Sequence, residues 1–221
     1  RREPGTSLAL MLATRLRRLV LRGTRYGMVI YAPLAVFCLV EGARLIECWM
    51  GSSQYGVSAL VLRLLLVSGW AAVAQNVLAV TLQAAGNPRL PTWVGVFDAL
   101  ANLGLSLLLV RRLGLVGVAL GTVVPIVLSN LFVVVPLACR RLTIPLRGLV
   151  RDALLKPLLC AAVCAGILTA MTTASPAAAW GVTIVKFVLY CAAYLALVLA
   201  VRRPEEREED ASLLRRAVAP R

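Results

Sequence analysis

The strongest constraint on this chain is a pair of long apolar segments joined by a short turn, between Val57 and Val110. The first reads VSALVLRLLLVSGWAAVAQNVLAVTLQAAG, the turn NPRLP and the second TWVGVFDALANLGLSLLLV. As helices they are long enough for a hydrocarbon core of ~30 Å, which takes about 20 residues to cross. Backbone amides in lipid must be satisfied within their own segment, so helix is the structure open to them. The short turn then makes the two helices antiparallel neighbours. Arg63, Gln75, Asn76, Gln83, Asp98 and Asn102 interrupt this apolar background. A plain anchor would not carry them, because polar groups at membrane depth are costly.

Composition extends this reading to the whole chain. Its 221 residues are 60% hydrophobic and 15% charged, with mean hydropathy +0.85. Soluble domains are about 45–50% apolar and about 25% charged, so an all-α integral membrane protein is expected. The net charge of +14 would point to nucleic acid in a soluble chain. Here the Arg residues cluster between apolar segments, as the positive-inside bias requires, so no nucleic-acid partner is expected. There is no His and no CxxC, and the six Cys are read as small apolar residues. That removes the commonest metal ligand and general base together. No metal, no cofactor and no catalytic residues are expected, and the chain is not read as an enzyme.

About six membrane spans are predicted, near Tyr26–Trp49, Val57–Ala85, Pro91–Val110, Gly114–Cys139, Ala153–Met171 and Ala177–Val201, with a kink at Pro33. Residues 1–25 form a basic segment with Arg15, Arg18 and Arg22 at helical spacing, expected to lie as an amphipathic helix at the cytoplasmic interface. Residues 26–139 are read as a four-helix unit, 140–152 as a basic cytoplasmic loop, 153–201 as a two-helix pair and 202–221 as a charged cytoplasmic tail. With both termini cytoplasmic, nineteen Lys and Arg residues in the ends and connections fall on the cytoplasmic side, against two (Arg111 and Arg112) on the other. The chain begins with Arg and shows no signal peptide, so a fragment or a trimmed start is expected.

Within the spans, Gly95, Asp98, Asn102 and Ser106 fall on one helical stripe, which would line a wet cavity or hydrogen-bond between helices. Asn76 and Gln83 share a face of the preceding span, and Arg63 lies well round from it. Glu41 and Arg44 are spaced to pair, and Lys186 sits too deep to reach water easily. Gly117 and Gly121 form a small-xxx-small pair that permits close helix contact, and Pro125 marks a bend. Arg44, Arg63 and Lys186 against Glu41 and Asp98 leave a slight cationic excess, which suits an anionic substrate such as a phosphate-bearing lipid headgroup.

The run from Pro33 to Leu137 resembles the C-terminal half of a polysaccharide-biosynthesis flippase. It does so through CWMGSSQY before the second span, LQAAGNPRLP at the cytoplasmic turn, ANLGLSLLLV in the third span and GLVGVALGT in the fourth. Such flippases belong to the multidrug/oligosaccharidyl-lipid/polysaccharide exporter superfamily, which also holds lipid II flippases. The resemblance implies one bundle of a two-bundle, all-α exporter that moves an undecaprenyl-pyrophosphate-linked oligosaccharide across a bacterial or archaeal cytoplasmic membrane. It implies substrate binding by Arg44, Arg63, Lys186, Asn76 and Asn102, and ion coupling by Asp98 or Glu41. Membrane lipids and either a missing N-terminal half or a second half-transporter are the implied partners. A drug/cation antiporter of the same superfamily and a non-transporting scaffold of a glycan-assembly complex remain as alternatives.

Overall fold

The computed structural model describes residues 4–141, 149–174 and 179–201, and among these every long element is a helix. The helices are α1 (Pro4–Met50), α2 (Gly56–Ala84), α3 (Arg89–Ser129), α4 (Val135–Arg141), α5 (Lys156–Ala174) and α6 (Trp180–Val201). A short 3₁₀ turn, Ser53–Tyr55, precedes α2, and π-helical segments occupy Asn130–Val134 and Leu149–Leu155. Five helical stretches are long and apolar enough to cross a membrane: Leu16–Met50, Gly56–Ala84, Arg89–Leu137, Lys156–Thr173 and Trp180–Val201. This is a multi-pass membrane protein.

The count of five rather than six comes from α3, which is one continuous helix only in name. Gly114 has φ 56° and ψ −133°, a conformation that reverses the chain and that a side chain would strain. The two arms then run antiparallel. Ser106 Oγ lies 3.4 Å from the Val118 carbonyl, Thr122 Oγ1 3.3 Å from Asn102 Oδ1, and Ser129 Oγ 3.0 Å from Asp98 Oδ2. A Cβ on Gly117 would run into the Leu109 carbonyl and one on Gly121 into Ser106, so the arms close because both positions are glycine. The arms Arg89–Leu113 and Leu115–Leu137 are ~37 Å and ~34 Å long at about 1.5 Å per residue, and each is enough to span.

The turn between α2 and α3 closes as the sequence demands. Gly86, at φ 76°, donates to the Gln83 carbonyl while Asn87 donates to Leu82, both at 3.0 Å. This Schellman closure satisfies the last carbonyls of α2 and needs a left-handed residue at Gly86.

The expected break between a basic interfacial segment and the first span does not occur: α1 is helical from Pro4 to Met50 without interruption. Val20, Thr24 and Met28 are fully buried, so the second half of that segment belongs to the bundle. The cause is Gly23 and Gly27, one turn apart, which let α1 approach Val77 and Val73 of α2. Further along the seam Tyr31 crosses over Gly69 and donates to the Leu66 carbonyl at 2.8 Å. Val20 joins Leu78, Leu82, Val94, Val134 and Cys139 in one core at this end. A second core unites Ala32, Val36 and Phe37 of α1 with Cys160, Cys164 and Leu168 of α5 and Tyr190 and Tyr194 of α6. Residues 142–148, part of the expected loop, and the tail from 202 lie outside the described residues. Leu149–Leu155, also expected as loop and span start, is π-helical.

Candidate functional site

Two polar clusters sit inside the helices, and they divide the expected site residues between them. The first ties α1 to α5 and α6. Glu41 is fully buried, and its Oε1 lies 3.3 Å from both Arg44 Nη1 and Lys186 Nζ. The Lys186 side chain is only 4% exposed and that of Arg44 is 25% exposed. Thr172 Oγ1 donates to Glu41 Oε1, and the Arg44 guanidinium donates to the Thr172 carbonyl at 3.2 Å. Glu41 lies nine residues, ~14 Å, from the Met50 end of α1. At that depth a lone carboxylate would be strongly unfavourable, and two cations answer it. Glu41, expected to pair with Arg44 or couple an ion, and Arg44 and Lys186, expected at the substrate, therefore form one ion-paired network.

The second cluster ties α2 to both arms of the hairpin. Asp98 Oδ2 accepts from Gln75 Nε2 at 3.2 Å and from Ser129 Oγ at 3.0 Å. Its Oδ1 is buried and has no hydrogen-bond partner. No ion pair reaches Asp98 among the described residues. One turn on, Asn102 Oδ1 accepts from Ser106 at 3.0 Å and from Thr122 at 3.3 Å. The stripe read from the sequence thus turns inward onto its own return arm, with Asn102 Oδ1 and Ser106 Oγ bonded within the hairpin. The Asn130 side-chain amide, fully inside, donates to the Ala71 carbonyl of α2. Pro125, buried in the return arm, deprives one carbonyl of its donor, and the π turn at Asn130–Val134 begins five residues later.

Arg63 and Asn76 join neither cluster. Both are exposed on α2. Arg63 lies seven residues, ~10 Å, from the Gly56 end of its helix, and no ion pair reaches it among the described residues.

Set against known families, the chain matches the family model for the lipid II flippase MurJ over residues 13–191. The match takes in α2, the hairpin and both clusters. The chain belongs to the lipid II flippase MurJ family. No curated protein and no solved structure matches it significantly. The exporter superfamily expected from the motifs is thereby established. The branch is not the one expected: the match is to the lipid II flippases rather than to a polysaccharide-biosynthesis family. Motifs such as LQAAGNPRLP and GLVGVALGT close a turn and a hairpin, and that architecture is a property of helix packing rather than of a particular sugar.

Two features escaped the sequence reading. Thr172 was not singled out, because a hydroxyl in an apolar helix ordinarily bonds its own backbone. Gly23–Gly27 was hidden by the arginines around it, although its spacing is the same small-xxx-small signal as Gly117–Gly121.

Proposed function

We propose that this chain is one bundle of a transporter that carries a lipid-linked cell-envelope precursor, of the lipid II class, across the cytoplasmic membrane, with its N-terminus and C-terminus on the cytoplasmic side. The observation that carries the reading is the family match over 13–191, on a chain whose helices are long and apolar enough to span. The distribution of Lys and Arg supports the orientation. A labelled Cys at residues 52–56 should be reached from outside and one at position 89 from inside.

Within this reading the polar residues divide by what already occupies them. Arg63 and Asn76 present unspent polar groups on the surface of α2 and are assigned to the substrate. Arg44 and Lys186 are held on Glu41 and position α5 and α6 against α1. Of the two carboxylates, Asp98 is assigned to ion coupling, because neutral donors alone contact it and its Oδ1 is unpartnered. Flux of a fluorescent lipid II across proteoliposomes containing the complete transporter tests the reading. Arg63→Glu should slow flux at least tenfold with normal insertion, and equal rates would remove Arg63 from the site. Flux of a lipid-linked oligosaccharide with none of lipid II would return the protein to the polysaccharide branch.

A further inference from the structure

Half of the chain's ten acidic residues stand in one run: Glu205, Glu206, Glu208, Glu209 and Asp210. The run begins four residues after α6 ends at Val201. The surroundings of that end are basic. Val198 and Val201 line a small cleft with Lys156 of α5 and with Arg25 and Val29 of α1. From Arg25 a stripe leads back along α1 through Arg22 to Arg18, at spacings of three and four that keep to one helical face. Arg18 and its neighbour Arg17 are exposed. The contacts of Glu41 with Lys186 and of Arg25 with the cleft at Val201 make α1 and α6 antiparallel. A chain that leaves Val201 along the direction of α6 therefore passes down the arginine stripe.

Depth decides what meets these arginines. Trp49 and Trp180, 77% and 50% exposed, mark one membrane–water interface, where amphipathic rings collect. The 22 residues of α6 advance ~32 Å from there and end at the far edge of a ~30 Å hydrocarbon core. On α1 the same advance from Trp49 reaches Met28, and Arg18 lies ~15 Å further on. The headgroup layer adds only ~5–7 Å on each side. Arg17 and Arg18 thus stand in water beyond the lipid phosphates. The acidic run lies outside the described residues, but the chain fixes its reach. Even at the rise of a helix, Glu205 comes ~6 Å and Asp210 ~14 Å past Val201. That interval holds Arg22, ~9 Å past Met28, and ends beside Arg18.

We infer that the acidic run at 205–210 docks on the arginine stripe of α1 and clasps the end of α6 to α1 at the membrane surface. Exposed ion pairs contribute little singly. Here several carboxylates face several guanidinium groups, and a tether of a few residues holds them at millimolar effective concentration. The clasp is a second tie between α1 and α6. Unlike the buried contact of Glu41 with Lys186, it is open to salt. It goes beyond the flippase reading and holds whatever substrate is carried.

The test is photo-cross-linking of the full 221-residue chain, one copy per phosphatidylcholine nanodisc, with benzoylphenylalanine in place of Leu19. Leu19 is 62% exposed and adjoins Arg18, so the probe leaves the core intact. Peptide mapping should find the cross-link within 205–210. Glu208→Lys with Glu209→Lys should lower its yield about tenfold, and so should Arg17→Glu with Arg18→Glu. The four substitutions together should restore the parent yield, which a merely unfolded variant would not do. Equal yields in all variants, or no recovery in the fourfold variant, would overturn the inference. So would a cross-linked dimer in place of the intrachain product, which would assign the stripe to a second copy. Transfer of the adduct to lipid when phosphatidylglycerol is added would also overturn it and give the arginines to anionic headgroups.

Discussion

Glu41 and Asp98 are both carboxylates well inside the membrane-spanning helices, and the structure treats them in opposite ways. Glu41 is fully buried and met by two cations, Arg44 and Lys186, from its own helix and from α6. Asp98 is contacted by an amide and a hydroxyl, and one of its oxygens has no partner. The first arrangement is closed: its charges are answered within the chain, and its cost has been met by joining three helices. The second is open, in that it holds two helices together while leaving acceptor capacity unused. A buried charge therefore says little about function until its partners are known. The closed network ties α1 to α5 and α6, and the open one leaves one carboxylate oxygen unpartnered.

The sharpest way to break this comparison is at Glu41. Glu41→Gln leaves Arg44 and Lys186 without their carboxylate, and removing one member of a buried ionic network costs about 3–5 kcal/mol. Thermal unfolding in micelles should show this as the largest loss in the set; a loss below 1 kcal/mol would mean that the network is not closed. Gly121→Leu comes next, because its side chain meets Ser106 across the hairpin. Overpacking of this kind costs about 1–3 kcal/mol, and a Cys pair placed across the arms at positions 102 and 122 should cross-link more slowly in that variant. Asp98→Asn orphans no cation and retains an acceptor for Gln75, so it should cost about 1 kcal/mol, the worth of one hydrogen bond. Its effect belongs on the ion dependence of flux instead. Thr122→Val removes one of two donors to Asn102 and should cost about 0.6 kcal/mol, typical of an interhelical hydrogen bond in a membrane.

Much of the fold was legible because lipid leaves few options. Apolar length marked the spans, Gly117 and Gly121 marked a close helix contact, and NPRLP marked a turn. The one-dimensional pattern failed where a packing seam and a charge pattern overlap. Around Gly23 and Gly27 the arginines read as an interfacial helix, yet the glycines carry α1 through into the bundle. At the site, the sequence showed which residues were out of place in lipid but not which would meet. Glu41 and Arg44 are three apart and their pairing was readable. Lys186 lies 145 residues from Glu41, and only the packing of α6 on α1 brings them together. For Asn102 the helical stripe was correct, but the stripe faces the return arm, which depends on a reversal at a single glycine.

The most direct test of the proposed division between a closed tether at Glu41 and a substrate contact at Arg63 is a double-mutant cycle on Glu41 and Lys186, read for both stability and lipid binding. Lys186→Met in the Glu41→Gln background removes one of the two cations that faced the carboxylate and puts an apolar chain in its place, which in other buried ion pairs has been neutral or stabilising. The double variant should recover most of the stability lost in Glu41→Gln and bind undecaprenyl phosphate as the parent does, while Arg63→Gln keeps parent stability and binds that lipid more weakly. A double variant that recovers its stability but loses phosphate binding as Arg63→Gln does would place Lys186 on the substrate and contradict the account.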